Sequence, residues 1–379
     1  MIVKTSSILS YFDALCPTDM YIRIYQKNSI FGAEVQVSGL SPEIFDIGLT
    51  FQEVEELNKT LQQAVQIFAN EYEANDDSSD NALSQLAEAG RAAFHRIFAR
   101  GKPRTVILEA LKILRAKANP TIEISAEHFF VPWELLYNGP VDGAVDVDLF
   151  WGMHYILARN IIQDTCFGGM VLPTIETPRP NVGLVICDEL DQVVEKEHPA
   201  LKILHTSKRI KLQPLHALNP AQRPKELAYF GRFLSKKMHI VHFACHAYLK
   251  DPLDLSYLRV SDSFNITMRE IYSHEFIIRY HPLVIMNACH TGVIHPLSTS
   301  SWAALFRKYG ARGVLATEFR VPDDFAAAFV VELYQHLLAG KPIGLALLIT
   351  RRLFWDAHQR NPLGLAYALY SSHAVKIAS

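Results

Sequence analysis

The chain has 379 residues, 49% hydrophobic and 20% charged, which suits a globular protein with a sizeable core and about two domains. A formal net charge of −2 gives no electrostatic case for nucleic acid or an anionic membrane, and no apolar run reaches the ~18 residues of a spanning helix. Five cysteines, an odd number with no CxxC pair, suit free thiols in a reducing cytoplasm and argue against a disulfide framework. Met1-Ile-Val-Lys-Thr lacks a basic stretch ahead of an apolar core, so no targeting leader is expected.

In chain order, Tyr21-Ile-Arg-Ile-Tyr and Ala33-Glu-Val-Gln-Val-Ser alternate around Lys27-Asn-Ser-Ile-Phe-Gly and predict a β-hairpin. Leu57, Leu61, Val65 and Phe68 recur at helical spacing, which predicts a helix over 51–72. Residues 73–80 are acidic and polar and read as a solvated loop. Further helices follow over 82–99 and 104–116, separated by Gly101-Lys-Pro. One strand is expected at Asn119-Pro-Thr-Ile-Glu-Ile-Ser, and another within or just before Phe129-Phe-Val-Pro-Trp-Glu-Leu-Leu-Tyr137. Pro132-Trp133-Glu134 reads as a helix start, with Glu134 a cap carboxylate in preference to a catalytic acid. After a strand over 150–161, the three prolines of residues 168–180 mark a linker. The boundary falls near 175, giving regions 1–175 and 176–379.

Beyond it the pattern is regular. Strands are expected at 181–187, 210–215, 239–244, 283–288, 313–318 and 363–370, with helices at 190–204, 223–235, 298–309, 323–338 and 344–356. Alternating strands and helices at this spacing predict an α/β fold with a parallel sheet and helices on both faces. No fixed-period repeat is present.

Two strands carry the chemistry. His239-Ile-Val-His-Phe-Ala-Cys-His246 and Pro282-Leu-Val-Ile-Met-Asn-Ala-Cys289-His-Thr-Gly292 are apolar runs that each end in a reactive side chain. Ligands bind just beyond the carboxyl ends of such strands. A thiolate nucleophile needs a base close in space, and His246 is the candidate for Cys289. The backbone N–H groups of Ala247 and Cys289 are the candidate oxyanion donors. A cysteine or histidine at a strand end can equally be a buried structural residue, and alternation makes Cys245 a core residue. His239 and His242 lie deeper and read as structural, while His290 and His295 follow the cysteine in a loop. His242, Cys245, His246, Cys289 and His290 fit no standard zinc module, and there is no GxGxxG or GxxxxGK[ST] turn, so neither metal nor cofactor is expected.

At these residues the chain resembles the CHAT-domain proteases, of the caspase–separase clan of cysteine peptidases. His242-Phe-Ala-Cys-His246-Ala and Leu283-Val-Ile-Met-Asn-Ala-Cys289-His-Thr-Gly292 resemble the family's His and Cys blocks. Val131-Pro-Trp-Glu-Leu-Leu-Tyr, Gly310-Ala-Arg-Gly-Val-Leu-Ala-Thr with Val321-Pro-Asp-Asp324, and Asn361-Pro-Leu-Gly-Leu-Ala-Tyr-Ala-Leu-Tyr resemble further blocks in the same order. The resemblance spans roughly residues 100–379. It implies a caspase-like, mostly parallel sheet flanked by helices, preceded by a degenerate caspase-like α/β subdomain. It also implies that His246 is the general base and Cys289 the nucleophile of an endopeptidase. Ala247 stands where the family usually has glycine, and Asn287 and His290 replace a serine and a glutamate.

Glu318, Asp323 and Asp324 follow the nucleophile in the segment where this clan binds the P1 side chain, and their charge would favour arginine or lysine there. Asp324 can equally be a helix-cap carboxylate, and Arg320 could neutralise one of the acids or select an acidic P1 residue. The resemblance further implies bacterial antiviral defence or programmed cell death, a protein substrate such as a gasdermin-like pore former or a CRISPR-associated effector, and an upstream activator protein. A catalytically silent form that binds a partner through the same cleft is one alternative. Acyl transfer to a small molecule through Cys289 is another.

Overall fold

The computed structural model describes residues 17–73, 79–126, 128–161, 172–187, 189–261, 263–287, 301–357 and 360–378. The expected hairpin forms from β1 (Met20–Lys27) and β2 (Ile30–Val37), which pair antiparallel across Asn28 and Ser29. Asn28 takes φ 59°, a left-handed conformation that asparagine tolerates in tight turns. A short strand, β3 (Glu43–Asp46), extends the hairpin; only Phe45 of it is buried, too little to show as a pattern. β4 (Thr121–Ala126) and β5 (Ile156–Ile161) complete a sheet of order β3-β2-β1-β4-β5. Three helices accompany it: α1 (Phe51–Glu73), α2 (Ser79–Ile97) and α3 (Lys102–Arg115). Gly101 at φ 100° and the proline in the first turn of α3 produce the break between the last two.

Two expectations shift here. The strand near Phe129–Tyr137 does not form: Pro132 leads into a single 3-10 turn, Trp133–Leu135, and Tyr137 makes only an isolated bridge with Phe150. The strand over 150–161 begins later, because Trp151–His154 first make one helical turn, α4. Both departures come from aromatic packing. Trp151 lies flat on Phe98 at 5.9 Å and 6.0 Å from Trp133, so these side chains follow the core and not a strand.

The second sheet has the order β15-β14-β13-β9-β7-β8. β6 (Thr174–Ile175) precedes it and pairs with the terminal β16 (Lys376–Ile377). Its members are β7 (Asn181–Ile186), β8 (Lys211–Pro214), β9 (Ile240–Ala244), β13 (Leu283–Asn287), β14 (Gly313–Thr317) and β15 (Tyr367–Tyr370). All pair parallel except β15, which runs antiparallel to β14. Every residue of β9, β13 and β14 is buried, as expected of strands covered on both faces. The covering helices are α5 (His198–Thr206), entered through a π-helical turn at Val193–Glu197, and α6 (Arg223–Leu234).

Between β9 and β13 the chain builds an unexpected antiparallel sheet. It consists of β10 (His246–Tyr248), β11 (Tyr257–Ser261) and β12 (Phe264–Thr267), followed by α7 (Met268–Ser273). After β13 come α8 (Trp302–Lys308), α9 (Asp323–Leu338) and α10 (Ile343–Ala357). One hydrophobic core runs through both sheets, from Ile22, Trp133 and Leu157 to Ile285, Phe329 and Tyr367. A second core, with Phe243, Met286 and Phe306, fills the opposite face of the second sheet.

Candidate active site

β9 and β13 lie side by side, with Ile240 opposite Leu283 and Ala244 opposite Asn287. Their carboxyl ends therefore finish level with each other. Two residues past Ala244 the chain reaches His246, the first residue of β10, which is half-buried. Two residues past Asn287 the sequence reaches Cys289, which lies outside the described residues, as do His290 and His295. Cys245, His246, Asn287, Thr317, Val321 and Asp323 line one cleft of about 20 Å³, room for about one water, at this end of the sheet. Ala247 follows His246 within β10 and is opposite Leu258.

The three acids separate. Glu318 does not face the cleft as an open anion. Arg159 of β5 grips its carboxylate with two N–H donors, at 2.5 and 3.0 Å, and the Tyr370 hydroxyl donates to it at 2.6 Å. Burial opposes the charge on Arg159, but Glu318 and Tyr370 outweigh it and raise the guanidinium's pKa. Arg159 also donates to Glu134, whose other oxygen lies 3.7 Å from Arg351. Glu134 is thus a fully buried ion-pair carboxylate and not a solvent-facing cap. Two arginines balance two glutamates where the two sheets meet, so the Glu318 charge is spent within the protein. Asp323 and Asp324 occupy the first turn of α9, where carboxylates complement the helix dipole. Asp323 is exposed at the cleft, and Asp324 accepts from the Tyr72 hydroxyl at 3.4 Å. Arg320 is exposed on the same segment.

Below the cleft lies a buried polar group that sequence reasoning did not assemble. His242, in the middle of β9, contacts Glu197 through Nε2 and the Tyr334 hydroxyl through Nδ1, the latter at 3.3 Å. The second oxygen of Glu197 accepts from Asn287 Nδ2 at 2.9 Å. Asn287 Nδ2 also donates to the Ala326 carbonyl at 3.2 Å, and its Oδ1 accepts from Tyr367 at 2.7 Å. Burial, and then the Glu197 charge, raise the Tyr334 phenol well above its ordinary value, so it remains a donor. His242 was expected to be structural. Glu197 carried no such signal, because Val193-Val-Glu-Lys-Glu197 reads as the polar surface of a helix. His239 is structural too, its Nδ1 accepting from the Asn181 N–H at 2.8 Å.

Among the described residues no group of His, Cys, Asp and Glu side chains could hold a metal ion, and no helix is long and apolar enough to cross a membrane. Residues 185–373 match the CHAT domain family. A probable protease of Vitiosangium sp. is 26% identical over 241 residues, covering 60% of this chain, and the chain spans 30% of that protein's length. Two crystal structures of the Saccharomyces cerevisiae separase–securin complex have a similar fold at 11% identity. One has a TM-score of 0.54, covering 95% of this chain and 30% of the separase chain. The other has a TM-score of 0.55, with coverage of 99% and 31%. With the mostly parallel sheet, the two level strand ends and the family match in agreement, residues 185–373 of the chain are a CHAT domain, in a fold similar to that of separase.

Proposed function

We propose that the protein is an endopeptidase in which Cys289 attacks the scissile carbonyl carbon and His246 takes the thiol proton. His246 then returns that proton to the leaving amine, and water hydrolyses the resulting thioester to release the acid and regenerate the thiol. The backbone N–H groups of Ala247 and Cys289 stabilise the tetrahedral oxyanion. The observation that carries this reading is the register of β9 on β13, which brings the strand leading to His246 and the strand leading to Cys289 level at one cleft. Asp323, with Asp324 behind it, favours an arginine or lysine side chain at P1. The resemblance supports a setting in the bacterial cytoplasm, in antiviral defence or programmed cell death. There an upstream protein activates the enzyme, and a gasdermin-like pore former or CRISPR-associated effector is cut.

A fluorogenic peptide panel with candidate partner proteins tests this. Cleavage after Arg or Lys, absent in Cys289→Ala and His246→Ala, is the expected result, and Asp323→Asn should lower kcat/KM for those peptides about tenfold. Cleavage after Asp would move P1 recognition to Arg320. Activity surviving in Cys289→Ala would sink the proposal.

A further inference from the structure

Glu197 touches both strands that lead to the proposed dyad. Its Oε1 contacts His242 of β9, four residues before His246, and its Oε2 accepts from Asn287 of β13, two residues before Cys289. The network links each member to at least one partner. His242 Nε2 meets the Glu197 carboxylate, which accepts an N–H from it, and its Nδ1 pairs with the Tyr334 hydroxyl. Asn287 donates both amide hydrogens, to Glu197 and to the Ala326 carbonyl, and accepts from Tyr367. Flipping that amide would turn its oxygen toward a carboxylate and a carbonyl, so its orientation is locked. These side chains are all buried, Glu197 and His242 completely, where such bonds are strong and an unpaired member is costly.

We propose that Glu197 is a positioning residue for catalysis. It clamps β9 and β13 together and thereby sets the separation of the base and the nucleophile that follow those strand ends. The inference rests on the reading of His246 and Cys289 as the dyad. Glu197 never meets substrate, since it lies beneath the cleft. It acts through Asn287 and His242, and a small displacement of a reacting pair can cost about a hundredfold in rate.

The test is the rate of Cys289 alkylation by iodoacetamide against pH, read by mass spectrometry on the full chain, which requires no known substrate. In the wild type the rate should persist well below the ~8.5 pKa of a free thiol. Glu197→Gln keeps the shape but places an N–H where Asn287 or His242 donates. Its rate at pH 6.5 should fall about tenfold, moving the profile toward that of a free thiol. A wild-type profile in folded Glu197→Gln would overturn the inference. A purely structural role would lower the melting temperature and leave the profile of the folded protein in place. Should Glu197→Gln not fold, Tyr367→Phe removes one donor from Asn287 and keeps the ring. It should slow alkylation at pH 6.5 about threefold, and no change there would equally overturn the inference. Failure of the dyad reading looks different: wild-type Cys289 would itself alkylate as a free thiol, and His246→Ala would change nothing.

Discussion

Glu318 illustrates how a charge near a cleft can belong to the fold and not to the substrate. Arg159 and Glu318 are both buried and share two hydrogen bonds. Removing one partner leaves an uncompensated buried charge, which costs about 3–5 kcal/mol, whereas losing a neutral hydroxyl costs about 1 kcal/mol. Glu318→Gln should therefore destabilise the protein several times more than Tyr370→Phe, as measured by denaturant unfolding. Equal costs would show that Glu318 is not what compensates Arg159. The same accounting explains why the acidic residues after Cys289 could not be ranked from sequence. Glu318, Asp323 and Asp324 are six residues apart or less in the chain. What separates them is Arg159, which is remote in sequence and adjacent only through β5.

At the scale of elements, a clasp ties the sheet that starts at His246 to α6. Glu270 closes a capping box with Thr267 and receives two N–H bonds from Arg223 of α6, each 2.8 Å. Burial by itself raises the Glu270 pKa, but the Thr267 backbone bond and Arg223 more than reverse it, so its folded value lies below the ordinary one. The clasp thus contributes stability above the unfolded pKa of ~4.3 and loses it as pH falls through the lower folded value. Glu270→Gln should cost about 1–2 kcal/mol at pH 7, with the difference from wild type shrinking below about pH 4. A penalty that does not change with pH would point to lost packing in place of lost charge.

Another element contact depends on a missing side chain. A Cβ on Gly90 of α2 would lie 2.2 Å from the Leu135 carbonyl oxygen, a backbone atom that cannot yield cheaply. Gly90→Ala should lower the melting temperature by several degrees, reflecting the ~1–3 kcal/mol of overpacking.

Which elements were legible follows from burial. β7, β9, β13 and β14 are covered on both faces, so their sequences are continuous apolar runs that no loop would carry. β10, β11 and β12 are three to five residues long with one outward face, as in Leu258-Arg-Val and Phe264-Asn-Ile, and their short alternation does not stand out. The two strand ends of the site were readable for the first reason. Glu197 was not, because a π-helical turn and not a regular amphipathic helix directs it inward.

In the whole molecule, the two sheets share a core and an ion network. Tyr367, Phe329 and Phe354 pack in the same cluster as Trp133 and Leu157, and the Glu318 charge needs Arg159 from the first half. Residues 176–379 expressed alone should lack a cooperative unfolding transition. A stable, cooperatively folding fragment would contradict this account of the interface. The arrangement also links the first half to the cleft, since Arg159 holds Glu318, which follows β14 and leads into the segment of Val321 and Asp323 that lines it.

The measurement that tests the central claim most directly compares the pH dependence of Cys289 alkylation in the wild type and in His246→Ala. A dyad predicts a reactive thiolate well below the ~8.5 of a free cysteine in the wild type, and a return to that value when the imidazole is removed. Identical profiles in the two proteins would contradict the pairing of His246 with Cys289 and leave the cleft a binding surface.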